Sequence, residues 1–230
     1  MNFSKKLTAV FFDMGRASSS RLLFIVAIWL AATVSWPTNA NTNPPVILLL
    51  GDSLSAEYGL ARGTGWAAHL QQKLKQQGLP HQLINASISG ETTSGGAARI
   101  NALLSQHRPK ILIIALGAND ALRGLALSAS AKNLQQISRA GQAVGAKILL
   151  VGMALPPNYG PVYSKDFQQM FSQIATAEKI SLLPFLLAGF AQDLNAFQAD
   201  RIHPNQAAQS KILANVWPSL TPLLTQPSKK

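Results

Sequence analysis

Val46-Ile47-Leu48-Leu49-Leu50-Gly51-Asp52-Ser53-Leu54-Ser55 sets five apolar residues in an unbroken row and ends them on a glycine, an acid and a serine. A strand with one wet face alternates apolar and polar residues. A continuous run of this length fits a strand buried on both faces, as in a parallel sheet covered by helices. Four further runs repeat the pattern: Gln82 to Asn85, Ile111 to Leu116, Lys147 to Val151 and Ser181 to Leu183. The segments between them carry helical spacing. Trp66 to Gln77 places Trp66, Leu70 and Leu74 on one face, and Ala97 to Gln106, Ser130 to Val144, Lys165 to Ala177 and Ala207 to Trp217 do the same. Gly78, Pro109, Gly145 and Pro218 stand near their ends as stop signals. Strands alternating with helices predict an α/β fold with a central parallel sheet of about five strands. Sites in such sheets lie beyond the carboxyl ends of the strands, so the residues after each run are the ones to read for chemistry.

Ser53 follows the first strand, where a hydroxyl stands beside free backbone N–H groups. A serine there also fits a helix N-cap. After the second run comes Ser87-Ile88-Ser89-Gly90-Glu91-Thr92, in which Gly90 lets a backbone N–H approach a ligand closely. After the third comes Gly117-Ala118-Asn119-Asp120, which offers the Asn119 amide or simply a turn. Near the carboxyl terminus, Asp200-Arg201-Ile202-His203-Pro204 spaces a carboxylate and an imidazole so that both can meet within one loop. Each of these is weak alone. Together they supply a nucleophile, donors for an oxyanion and an Asp-His pair, the set an acyl transfer to water requires.

The pattern is similar to that of the SGNH (GDSL) hydrolase family, on the strength of Gly51-Asp52-Ser53-Leu54-Ser55, Gly90 in its setting, Gly117-Ala118-Asn119-Asp120 and Asp200-x-x-His203-Pro204. The likeness runs from about Pro45 to Leu220 and is strongest to the bacterial thioesterase, lysophospholipase and arylesterase group. It implies a three-layer α/β/α, flavodoxin-like fold and a serine hydrolase of acyl esters and thioesters. It assigns Ser53 as nucleophile, His203 as base and acid, and Asp200 as the group that orients His203. The oxyanion hole would be the Ser53 and Gly90 N–H groups and the Asn119 side chain. Leu155, Pro156, Asn158 and Tyr159 resemble the loop that borders the acyl groove. Two positions depart from the family pattern: Arg201, where glycine is frequent, and Glu57, where a small residue is common. Either is expected to reshape the headgroup side of the pocket.

Composition limits the rest. With no cysteine, thiolate chemistry and disulfides are excluded. No two histidines stand at metal-ligand spacing, and the glycines from Gly90 to Gly96 lack the Lys-Ser/Thr ending of a phosphate loop, so neither metal nor cofactor is expected. Lys5, Lys6, Arg16 and Arg21 precede an apolar run from Leu22 to about Val34, followed by small residues up to Ala40, the order of a secretory signal cut near Ala40. Residues 41–230 are then a single domain, periplasmic or extracellular, and Met14 offers a second start. That part holds 16 basic against 8 acidic residues. The basic residues are scattered, which argues against nucleic acid and suits peripheral attraction to an anionic membrane surface. A monomer acting on small acyl substrates is expected. The rival readings are a carbohydrate O-acetylesterase or acyltransferase of the same fold, and a non-catalytic module binding lipid or cell-wall material.

Overall fold

In the computed structural model, which describes residues 43–224, the five apolar runs become five strands. They are β1 (Val46–Gly51), β2 (Gln82–Asn85), β3 (Ile111–Ala115), β4 (Lys147–Val151) and β5 (Ser181–Leu183). All pair in parallel, in the order β2-β1-β3-β4-β5. The chain leaves β1 for one neighbour and returns through β3 on its other side. The crevice above β1 and β3 is therefore the switch point at which doubly wound sheets bind ligands.

Among the described residues six α-helices cover the sheet: α1 (Trp66–Gln76), α2 (Thr93–His107), α3 (Ala118–Leu122), α4 (Leu127–Ala143), α5 (Pro161–Glu178) and α6 (Gln209–Leu224). Alternation along the strands sorts the core into two layers. Ile47, Leu49, Ile111, Ile113, Leu149 and Val151 face Trp66, Leu70 and Leu74 of α1 and Ile212, Val216 and Leu220 of α6. Leu48, Leu50, Leu112, Ile114, Ile148 and Leu150 face Ile100 of α2, Ile137 of α4 and Phe167 and Phe171 of α5. Each such side chain, fully buried, contributes about 1.5–3 kcal/mol. Gly141 lets α4 approach the sheet closely: a Cβ there would stand 2.6 Å from Ile148 Cδ1 and 2.9 Å from Leu112 Cδ2.

The expected three-layer α/β/α architecture is observed, with differences at the helix ends. Pro218 does not stop α6, which continues through Pro218 and Pro222 to Leu224. Both prolines are exposed, while Ile212, Val216, Leu220 and Leu224 hold the opposite face in the core, and that burial outweighs the lost backbone bonds. The predicted export segment, 1–40, lies outside the described residues.

Candidate active site

Ser53 sits at the first turn beyond β1. The Asp52 carbonyl accepts from Ser55 N–H at 3.1 Å and Ala56 N–H at 2.9 Å, which turns the chain and leaves the Ser53 side chain at the sheet edge. Facing it is the loop 197–204. A bridge between Phe197 and Pro204 and a bond from Gln198 N–H to the His203 carbonyl (2.8 Å) close this loop. Arg201 turns it with φ 59°. That left-handed residue aims both the Ile202 and His203 N–H groups at Asp200 Oδ1, at 2.9 and 3.0 Å. Asp200 Oδ2 then meets His203 Nδ1 at 2.7 Å, and His203 Nε2 meets Ser53 Oγ at 2.9 Å. Partial burial pushes the Asp200 carboxyl up, but the backbone N–H groups of His203 and Ile202 and the imidazole outweigh it and hold it below its ordinary range. Because an ionised Asp200 can only accept, Nδ1 carries the imidazole proton and Nε2 is free to accept from Ser53.

Gly90 occupies a tight turn with φ 78°, closed by Glu91 N–H to the Ile88 carbonyl at 3.1 Å and held by Arg123, which donates to the Gly90 carbonyl at 3.0 Å. Among the described residues, neither the Ser53 N–H nor the Gly90 N–H has an acceptor. Asn119 is brought to the same place by Gly117, whose φ of 116° opens α3. Its neighbour Asp120 anchors α3 by accepting from Thr93 N–H (2.9 Å), Thr93 Oγ1 (2.6 Å) and Ser130 Oγ (3.2 Å). The Asn119 Nδ2 group donates to the Glu91 carbonyl at 3.0 Å and to Asp52 Oδ2 at 3.3 Å. The second bond is long, so it is the one an incoming oxyanion can replace. Asp52 is 3 % exposed. Burial pushes its carboxyl up to about 6, against the opposing pull of the Leu54 N–H and the His203 charge. A small apolar concavity lies against it, lined by Leu54, Leu116, Val151, Met153 and Leu186.

The remaining sequence-predicted residues are placed as follows. Pro156 and Asn158 are exposed, Leu155 packs on the second core layer, and the Tyr159 hydroxyl donates to the Leu122 carbonyl at 3.1 Å. The Glu57 carboxylate turns into its own loop. Its two carboxylate oxygens accept from Gly63 N–H (2.9 Å) and Gly65 N–H (2.8 Å), clasping its own loop. Three residues went unread in the sequence. The Tyr58 ring lies 4.4 Å from the His203 ring, tilted by 38°. The Gln198 Nε2 group donates to the Tyr58 carbonyl (2.9 Å) and the Pro204 carbonyl (3.3 Å), tying the Ser53 side to the imidazole loop. Gln209 accepts from Trp66 N–H (3.0 Å) and donates to the Pro204 and Asn205 carbonyls (3.2 and 3.1 Å). An aromatic residue left in a polar loop beyond β1 was the available signal for Tyr58. The glutamines carry none.

The GDSL-like lipase/acylhydrolase family model matches residues 49–211. The chain belongs to this family. It is therefore an ester-hydrolysing enzyme with small-molecule substrates. Over 178 residues it is 47 % identical to esterase TesA of Pseudomonas aeruginosa, a match spanning 77 % of this chain and 89 % of that one. It is 37 % identical to thioesterase 1/protease 1/lysophospholipase L1 of Escherichia coli over 182 residues, covering 79 % of this chain and 86 % of that protein. Its fold superimposes with a TM-score of 0.75 on the psychrotrophic esterase EstA of Pseudoalteromonas in a structure inhibited by monoethylphosphonate, at 41 % identity, covering 79 % of this chain and 99 % of EstA.

Proposed function

We propose that the protein hydrolyses acyl esters and thioesters, including aryl esters and lysophospholipids, through an acyl-enzyme on Ser53. The observation that carries this reading is the unbroken chain of bonds from Asp200 through His203 to Ser53, beside two N–H groups without acceptors. His203 Nε2 takes the Ser53 proton as Oγ attacks the acyl carbonyl. The carbonyl oxygen becomes an oxyanion held by Ser53 N–H, Gly90 N–H and the Asn119 amide. As that intermediate collapses, Nε2 returns the proton to the departing alcohol or thiol. Water then attacks the acyl-enzyme, gives its proton to Nε2 and releases the acid, and the proton returns to Ser53. Asp200 stays ionised and steadies the imidazolium. The loop carrying Leu155, Pro156, Asn158 and Tyr159 borders the surface available to the acyl chain.

The test is hydrolysis of p-nitrophenyl esters from acetyl to palmitoyl by the protein and by Ser53→Ala. Turnover of medium or long chains that vanishes in the variant is expected. Turnover of acetyl alone would move the assignment to an O-acetylesterase, and turnover unchanged in Ser53→Ala would remove Ser53 from the mechanism. The protein works as a monomer, after export to the periplasm and removal of residues 1–40, in peripheral contact with an anionic membrane. N-terminal sequencing of the exported protein checks the processing: a start near Ala40 supports it, and retention of the leader sinks it.

A further inference from the structure

Seven large apolar side chains are exposed among the described residues, and only Val144 lies at the amino end of the sheet. The other six sit on segments leaving the carboxyl ends of the strands: Tyr58 after β1, Ile88 after β2, Leu125 after β3, Val162 after β4, and Leu194 and Ile202 after β5. Every strand thus sends at least one exposed apolar residue to the edge that holds Ser53. A single exposed apolar residue needs no explanation. Their concentration around one edge does, because the turns there need only glycine and polar residues to form.

Cations stand among these residues. Arg62, Arg123, Lys165 and Arg201 are exposed on these same segments. Most acidic groups of this edge are engaged locally: Glu57 by two backbone N–H groups, Glu91 by Arg99, Asp200 by His203 and Asp193 by Lys211. Asp166, beside Lys165, is the exposed exception. A protein partner would call for a contiguous apolar patch. Apolar tips spread one per loop and interleaved with cations match a surface that is apolar a few ångströms down and anionic on top.

We propose that the carboxyl edge of the sheet docks on an anionic lipid surface. Tyr58, Ile88, Leu125, Val162 and Ile202 enter the acyl boundary, and Arg62, Arg123, Lys165 and Arg201 meet the headgroups. This deepens the hydrolase reading and rests on it for what the docking serves: Ser53 then faces acyl groups presented from the surface.

The chain has no cysteine, so Val162→Cys or Val144→Cys carries a single thiol for an environment-sensitive nitrobenzoxadiazole dye. The dye reads its own position, which separates this edge from any other part of the full chain that touches lipid. With phosphatidylglycerol vesicles, the dye at position 162 is expected to shift to the blue and brighten, reversibly in high salt. The dye at position 144 should not respond, and phosphatidylcholine vesicles should have little effect at either position. Adding Leu125→Glu should cut the response at 162 by at least about fivefold, one repelled charge and one lost apolar anchor. Equal responses at 162 and 144, equal responses to the two lipids, no response at 162, or a response that Leu125→Glu leaves intact would each overturn the proposal. Soluble p-nitrophenyl butyrate, assayed on the same labelled proteins, reports folding and the hydrolase reading independently. Turnover without a response at 162 overturns the docking alone, and a response without turnover in the protein that retains Ser53 overturns the hydrolase reading alone.

Discussion

Arg201 and Glu57, the two departures from the family pattern, share a conformation. Both hold positive φ, 59° and 61°, the region where a side chain is strained and glycine is not. Glycine would relieve this strain at either position, whereas any residue with a Cβ, small or large, would not. At Arg201 the left-handed turn directs two N–H groups onto Asp200, so the conformation serves the site while the exposed side chain does not. Arg201→Gly should keep kcat/KM within about twofold, with stability changed by no more than about 1 kcal/mol. Arg201→Val puts a β-branched residue in the left-handed region at a cost of about 1–3 kcal/mol. The turn should then open, Asp200 should lose its aim, and kcat/KM on a p-nitrophenyl ester should fall at least about tenfold. A valine variant as active as the parent would show that this turn does not position the pair.

At the level of elements, the sequence exposed what rests on burial and hid what rests on amide side chains. The central strands β1, β3 and β4 were legible because both their faces are buried, and the partly buried edge strands β2 and β5 as short apolar stretches between helical segments. The loops bearing Ser53, Gly90 and Asn119 follow strand ends, whereas His203 was found from its spacing to Asp200. The starts of α2, α4 and α5 were placed late. The first turn of α2 is polar, its Thr93 buried against Asp120, so apolar spacing begins only further along. At five residues, α3 is too short to show a period. Pro218 read as a stop because the pattern shows a missing donor and not the buried stripe on the other side of α6. Gln209 is the clearest case of an invisible residue. It opens α6, is 2 % exposed, and joins α1 to the imidazole loop through three backbone groups. Gln209→Leu keeps the volume, strands the Trp66 N–H and takes one donor each from the Pro204 and Asn205 carbonyls, which keep Gln198 Nε2 and Ala208 N–H. This should lower stability by about 1–3 kcal/mol. Because Pro204 is one of the groups released, kcat should fall as well. Urea unfolding beside steady-state kinetics checks both, and an unchanged midpoint would mean that α6 and the loop are held by packing alone.

For the whole molecule, two aspartates of the site pull on stability in opposite pH windows. Asp200 is held below its ordinary 3.8, so it adds stability that is complete above that value and is lost as pH falls through its folded pKa. Asp52 is raised from 3.8 to about 6 by burial. Between those values the folded chain keeps a proton that the unfolded chain has released. Its contribution therefore weakens as pH rises through that window and is flat above it. A shift of about two units corresponds to a cost of about 3 kcal/mol for holding Asp52 ionised in the folded protein at neutral pH. Against that cost stands the bond from Asn119, which an ionised Asp52 accepts more strongly than a neutral side chain would. Asp52→Asn should accordingly stabilise the fold by about 1–3 kcal/mol at pH 8, with little gain at pH 4, where Asp52 is already largely protonated. Turnover should hold or rise, because the Asn119 amide then gives up a weaker acceptor when the oxyanion arrives. Thermal unfolding at the two pH values, with kcat measured at pH 8, decides the matter. A gain of equal size at both pH values would locate the stabilisation in packing, and a variant stabilised at pH 8 but slowed about tenfold would show that the Asn119 amide keeps its bond to Asp52 through the reaction.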